Sequence, residues 1–560
     1  MNIRNIDYIK IFFIVAIYIL AFKVIFMRPL DIQYWQWADD ALYFDNAKSV
    51  ALNLGKEYWL GPFNKIVISK APFFSVFLAG IHSLSIPLRL TEFLIFAPLP
   101  FCLLLALRPL KISIWTVLIP ATLCLILIPS AGTEYRLLRN TLFGAFVIYF
   151  LISLCATTIR FTVRSSGIWF WTILTGLAMG FAVTTREEAS WLMLPAIVAI
   201  LYIALVAWQT KRLSKLLVIF LSAIFSYFLP ILIFSTLNYT SYGVFSPSLR
   251  QNADFRNFYS ILTSLNPKDR QRFVPINAKT RQLAYKVSPT FAELKEFLEG
   301  PSLDSIAMNE AHFLLNEWKN TNNREFFVSN FEFALTEAII LSGRNTGKSF
   351  IKFCQNATNE IRKAIKNGEI TAGKKGFSML PPIRLVDVHD ILLASIRSFW
   401  LLLRGEGQNR HNFSQSMPPK EIADEWHAYL KSWPYPHSNN EKTSSIKLKN
   451  RIFKTIVLAF RSTYILVLIL GLAACARAYM NRCVNSVAIT LNLIVGWAAV
   501  LSFSLAMGVV HVIGFPVLKY PGSYNSIGFF PLHFLFTISV ISFFLFWKKI
   551  SILATRTNIY

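Results

Sequence analysis

Acidic side chains are scarce in this chain. Of 560 residues, 30 are Asp or Glu against 56 Lys and Arg, for a formal net charge of +26. Cysteine is scarcer, at six. Cys102, Cys124 and Cys155 lie in apolar runs, Cys475 and Cys483 flank a short basic turn, and Cys354 stands by itself in a polar region. That distribution excludes a disulfide-stapled ectodomain. The basic residues are scattered, with no basic helix and no aromatic-basic platform, so the charge does not describe a nucleic-acid surface. No small-residue cleavage site follows the first apolar run. Ile11 to Phe26, preceded by Arg4 and Lys10, therefore reads as a retained signal anchor rather than a removed signal peptide.

Apolar residues are what the chain has in excess. They make up 54% of it, and the mean hydropathy is +0.47, far above a soluble enzyme of this length. The chain is expected to be an all-α, polytopic membrane protein, its surplus Lys and Arg anchoring cytoplasmic loops and meeting anionic lipid. Apolar runs of spanning length fall near 8–27, 72–88, 91–107, 112–129, 141–158, 167–185, 189–208, 215–237, 456–476, 484–510 and 528–547. Between 238 and 452 lies a polar, mixed-charge insertion large enough for a domain. Three parts follow: an N-terminal membrane module over 1–240, with a first outer loop at 28–90; an extracytoplasmic, mostly helical insertion over 241–452; and C-terminal membrane helices over 453–560.

Short basic links set the orientation. Arg160 and Arg164, then Lys211, Arg212 and Lys215, then Arg477 and Arg482, then Lys548 and Lys549 fall at alternate turns and share the cytoplasmic face. Glu134, Arg186 to Glu188, the insertion and the loop 511–527 then lie outside, with the loop after the first span. One conflict arises. With Arg108 and Lys111 also inside, 72–88 cannot be a complete crossing. Either it is a re-entrant or interfacial helix bounded by Pro72 and Pro87, the preferred reading, or the Arg108 turn is outside.

Against so few acids, the adjacent pair Asp39 and Asp40 stands out. A charge at the centre of a spanning helix costs about 2.5 to 3.5 kcal/mol, and a pair about 5 to 7. These carboxylates belong at a wet boundary, where acids serve base catalysis, metal binding or proton handling. The plain alternative for either one is a helix N-cap. Beyond them Phe44, Ala47, Ala51 and Leu54 recur at helical spacing opposite Asp45, Lys48, Ser49 and Asn53. That pattern predicts a helix lying on the membrane surface.

Other clusters carry less. SGRNTGKS, Ser342 to Ser349, has Ser342 where a phosphate loop needs its first glycine. In DVHD the neighbours Asp387, His389 and Asp390 converge poorly on one ion and suit a solvated helix start. The amphipathic stretch 384–404 suits a helix resting on the bilayer. Arg186, Glu187 and Glu188 meet at an outer helix junction, either as site residues or as charges snorkelling to headgroups. Lys70, beside Pro72, is placed to meet a lipid phosphate or a phosphate ligand. With Glu134, Arg136 and Arg139 at the remaining outer turn, the cations suit an anionic substrate.

Taken together, these residues resemble the GT-C superfamily of membrane glycosyltransferases, in the branch of the protein O-mannosyltransferases and the lipid A aminoarabinose transferase. Asp39, Asp40 and Tyr43 match the D-(D/E)-x-x-Y pattern after the first span. Lys70, Ala71 and Pro72 match a Lys-Pro run with one position departing, Glu134 is the nearest match to an outer acidic turn, and Thr185 to Glu188 resembles an Arg-bearing junction. The similarity covers about residues 1–240.

The resemblance implies a GT-C-like bundle of about 10–12 spanning helices and an inverting transfer of a sugar from a polyprenyl-phosphate donor. The acceptor would be a lipid, glycan or protein. Asp39, assisted by Asp40, would serve as general base, and Lys70 and Arg186 would bind the donor phosphate. Asp40, Glu134 and Glu188 would orient the acceptor or, in a metal-using variant such as the oligosaccharyltransferases, ligate a divalent ion. The bacterial inner membrane, with the site on its periplasmic face, is the expected location. Two other classes stay open: a lipid or glycan transporter or flippase, for which the repeated halves of such proteins are missing, and a non-catalytic scaffold of envelope assembly.

Overall fold

The computed structural model describes residues 3–26, 30, 39–53, 55–64, 67–127, 137, 139–265, 273–303, 325–326, 328–374, 376, 380–403, 420–432, 469, 471–473, 476, 484–514, 527 and 530–543. Among these residues the structure is helical, with an isolated bridge between Leu265 and Ala372 and no strand. The order is α1 (Ile3–Phe26), α2 (Asp39–Asn53), α3 (Phe73–Ser83), α4 (Leu88–Phe96), α5 (Leu99–Leu107), α6 (Ile114–Leu127), α7 (Asn140–Val163), α8 (Ile168–Thr185), α9 (Met193–Gln209) and α10 (Leu213–Tyr242). The insertion contributes α11 (Ala253–Ser264), α12 (Ala278–Val287), α13 (Pro289–Ala292), α14 (Lys295–Glu299), α15 (Val328–Leu341), α16 (Gly347–Lys366), α17 (Leu385–Leu403) and α18 (Lys420–Leu430). The last two are α19 (Val484–Val509) and α20 (Phe530–Phe543).

Among the described residues seven helical stretches are long and apolar enough to cross a membrane: Asp7–Phe26, Leu88–Leu110, Asn140–Val163, Ile168–Thr185, Glu187–Gln209, Leu213–Tyr242 and Thr490–Ile513. The chain is thus a helical protein of polytopic membrane type. The sequence runs give a larger number, and for one of them the structure shows why. The run 72–88 holds an eleven-residue helix, about 16 Å long where a hydrocarbon core needs about 30. Pro87 starts the next helix. The runs at 112–129 and 528–547 are described over the helices Ile114–Leu127 and Phe530–Phe543, and 128–129, 528–529 and 544–547 lie outside the described residues. Most of 456–476 lies outside the described residues.

Among the described residues two large apolar cores organise the chain, beside a small cluster of Phe161, Ile168, Ile203, Ala207 and Ile219. One joins the spanning helices, including Phe143, Leu151, Trp191, Val495, Phe503 and Phe530. The other joins the loop after α1 to the insertion: Tyr43, Phe44, Ile68 and Phe74 share it with Phe258, Phe331, Phe350 and Trp426. The loop at 28–90 and the insertion at 241–452, separate by sequence, therefore bury a common interior.

That shared core alters the expected surface helix. It begins at Asp39, and its buried residues are Asp40, Leu42, Tyr43, Phe44, Asn46, Ala47 and Val50, of which Asp40, Tyr43, Phe44, Ala47 and Val50 make the i, i+3, i+4 set of one helical stripe. Ala51 and Leu52 are exposed. The stripe meets protein rather than lipid: Tyr43 packs edge-on to Phe74 at 5.1 Å, and Phe44 stacks on Trp426 of α18 at 4.2 Å. Lys48 also pairs with Glu425 of α18.

The weaker motifs resolve as helix starts. Thr346 and Ser349 form a reciprocal capping box that opens α16, which accounts for the TGKS run. Asp387 binds Arg384 at the start of α17, while His389 and Asp390 are exposed.

Candidate functional site

The site lies where α2, the segment before α3, the start of α7, the α8–α9 junction and the loop after α10 meet. The Lys70 ammonium is 2.6 Å from Asp39 Oδ1; the lysine side chain is 8% exposed and the aspartate 35%. Backbone contacts hold Lys70 in place. The Leu249 N–H donates to the Ile68 carbonyl at 2.8 Å, and the Ala71 N–H donates to Glu187 Oε1 at 2.6 Å. Burial lowers the pKa of Lys70, Asp39 raises it, and Arg250 and Arg139 lower it again, leaving it below the usual lysine value. The two aspartates thus part company. Asp39 stays open to solvent, whereas Asp40 is completely buried and does not lie at the wet boundary expected of it.

The guanidinium side is built by a break in the chain. α8 ends at Thr185, Arg186 is extended at φ −140° and ψ 122°, and Glu187 to Leu192 form a tight 3-10 turn. Three charged residues are thereby turned toward one region. Arg139 Nη1 donates to Glu187 Oε2 at 2.7 Å and to the Thr185 carbonyl at 3.0 Å, and its guanidinium lies 5.7 Å from the Tyr43 ring centre. Arg186 donates to Asn140 Oδ1. Arg250 holds both oxygens of Glu332 at 2.8 Å through Nε and Nη2, the bidentate geometry that suits a guanidinium. Burial works against the charge of Arg139, but Glu187, Tyr43 and Glu188 outweigh it and raise its pKa well above the ordinary arginine value. Burial likewise opposes Arg250, and Glu332 and Glu187 overcome it. Both guanidiniums stay charged.

Glu188 sits differently from the other acids. Its carboxylate is half exposed, with Arg186 Nε at 3.4 Å, Arg139 Nη2 at 3.6 Å and Arg250 Nη1 at 4.0 Å. Glu187 and Glu332 are buried and lock their arginines at hydrogen-bond distance. Three cations thus converge on an accessible point that a carboxylate fills loosely. An exchangeable anion such as a phosphate matches that environment.

Of the residues singled out from sequence, the structure puts Asp39 against Lys70 and Arg186 against Glu188. Glu187, bonded to Ala71 and to Arg139, ties the two halves together. Glu134 lies outside the described residues. From the same turn, Arg139 occupies the centre of the site. Arg250 and Glu332 were not found from sequence, because both belong to the insertion. Their signals are slight: an arginine shortly after a spanning helix, and one of two acids in the apolar run of α15.

Among the described residues the donor set does not suit a divalent cation. Glu188 faces three guanidiniums and Asp39 an ammonium, and among the described residues no group of three or more His, Cys, Asp or Glu is placed to hold a metal. Asp40 and Glu188 as metal ligands find no counterpart in this geometry. Comparison with protein-family models, with curated proteins and with solved structures finds no match.

Proposed function

We propose that this chain is a membrane glycosyltransferase that moves a sugar from a polyprenyl-phosphate donor to an acceptor hydroxyl, with Asp39 as general base. The observation that carries the reading is the contact of a solvent-open Asp39 with a buried Lys70, beside three arginines converging at one end of an apolar helix bundle.

The donor phosphate takes the position that the Glu188 carboxylate fills loosely, between Arg139, Arg186 and Arg250. Lys70, 2.6 Å from Asp39, orients that carboxylate and adds a further cation at the edge of the phosphate position. Asp39 then removes the proton from the acceptor hydroxyl as its oxygen attacks the anomeric carbon. The bond from that carbon to the phosphate oxygen breaks, and the phosphate departs with the electron pair. Its growing charge is met by cations already in place, which lowers the barrier without reorganisation. Attack opposite the leaving group inverts the anomeric centre. Asp40, buried behind Asp39, and Glu187, bound to Arg139 and Ala71, act as positioning residues.

The test is Asp39→Asn in native membranes with a panel of labelled polyprenyl-phosphate sugars. Loss of a general base costs about 10²- to 10⁴-fold in rate, with donor binding retained. Unchanged transfer by the variant removes Asp39 from its role.

A further inference from the structure

A cavity of about 340 Å³ opens in the insertion, apart from the charged cluster. Its size lies within the range of small-molecule sites. Thr263 and Leu265 at the end of α11, with Val274 and Asn277 before α12, form its buried inner wall. Its rim carries Lys374 and Arg384 and is completed by Leu385 and Val388 at the start of α17. Arg384 is held in place by Asp387, through Nε at 3.2 Å and Nη2 at 2.9 Å. Asp387 balances the charge of Arg384, and Lys374 is exposed, so the rim carries the positive charge of Lys374 beyond that pair.

The rim leads onto an uncovered apolar stripe. Leu385, Leu392, Ile396 and Trp400 recur at helical spacing and are 92%, 53%, 65% and 46% exposed. The opposite face of α17, with Ile391, Ala394 and Ser398, is buried, and α17 runs back along the spanning helix α19. Gly508 lies against Ser395 and the Ile391 carbonyl, so close that a side chain there would collide, and Phe399 meets Trp497 at 6.1 Å between rings. Ser502 of α19 donates to the Trp191 carbonyl, which fixes this part of α19 at the end of the bundle that carries the charged cluster. The stripe therefore runs from the cavity to the apolar bundle. A water-soluble ligand does not require such a track, and a lipid does.

We propose that this cavity binds a phosphate-bearing lipid: its hydrocarbon chain lies on the α17 stripe, its phosphate rests between Lys374 and Arg384, and the rest of its headgroup enters the cavity. The ligand chemistry is an anionic phosphate on a long hydrocarbon, supplied either by a bilayer glycerophospholipid or by a polyprenyl phosphate. The site is independent of the transfer reaction proposed above.

Full-length protein in phosphatidylcholine nanodiscs is photolabelled with phosphatidylglycerol or with polyprenyl phosphate, each carrying a diazirine beside the phosphate. The labelled peptides are then mapped. Labelling of 263–280 or 380–388 by either probe is the expected result, and the probe that labels identifies the source. Lys374→Glu, on the surface, should lower that labelling about fivefold, and Val388→Trp at the rim should remove most of it. Failure of both probes to label these segments overturns the proposal. So does equal labelling by diacylglycerol or polyprenol probes that lack phosphate, or labelling unaffected by Lys374→Glu.

Discussion

A single buried cation needs a partner, and the identity of that partner sets what each substitution does. Arg250 and Glu332 are bonded through both oxygens, so Arg250→Ala leaves a carboxylate unpaired in the interior. The expected cost is about 3–5 kcal/mol, read as a lower melting temperature, and Arg250→Met with Glu332→Leu should recover most of it. Glu188 is the opposite case. Because its carboxylate occupies the point where a phosphate is proposed to bind, Glu188→Gln should raise the affinity for bare polyprenyl phosphate by up to about fivefold, the reach of one exposed ion pair. Equilibrium binding in detergent checks it, and weaker binding by the variant refutes the exchange. Lys70→Ala should weaken the same binding without this gain.

Helices in this protein are positioned by faces that their own sequence only half explains. Trp426 of α18 covers Phe44 on the helix that begins with Asp39; truncating a buried tryptophan costs about 3–5 kcal/mol. Trp426→Ala should therefore destabilise α2, and faster amide exchange over 39–53 would show it. In the insertion, Glu360 of α16 accepts from the Ser288 and Thr290 hydroxyls at 2.6 Å each and from the Thr290 N–H at 3.0 Å. Burial tends to raise its pKa, but these bonds prevail and hold it below the usual glutamate value. A carboxylate with a depressed folded pKa adds stability above its unfolded value of about 4.3, and loses it as pH falls through the folded value. The melting-temperature gap between the wild type and Glu360→Gln should thus be full at pH 6 and shrink on acidification below pH 4. A gap constant with pH would mean that the bonds contribute nothing through ionisation.

For the whole molecule, the spanning helices form a support whose two ends differ in chemistry. One end gathers Asp39, Lys70, Arg139, Glu188 and Arg250, while Arg164 and Lys211 lie at the far ends of α7 and α9. Single cysteines placed at Lys211 and at exposed Lys431 should label from opposite sides of sealed membrane vesicles, the Lys211 position from the cytoplasmic side. Labelling of both from one side would overturn the orientation drawn from the basic links.

Much of the architecture was legible because lipid imposes a simple demand. A helix crossing a hydrocarbon core must be apolar for about 20 residues, and Asn140–Val163, Ile168–Thr185 and Leu213–Tyr242 lie close to where the apolar runs fall. The adjacency of Asp39 and Asp40 was visible for the same reason, since charge beside such runs is costly. Sequence could not tell that the face of α2 meets Trp426 rather than lipid, because an apolar stripe suits either. Nor could it tell that one acid of the pair is open and its neighbour buried, or that Arg250 and Glu332 join the site. Those outcomes depend on which surfaces meet across hundreds of residues, and that is fixed by packing in the folded chain, where the insertion and the first loop share one core.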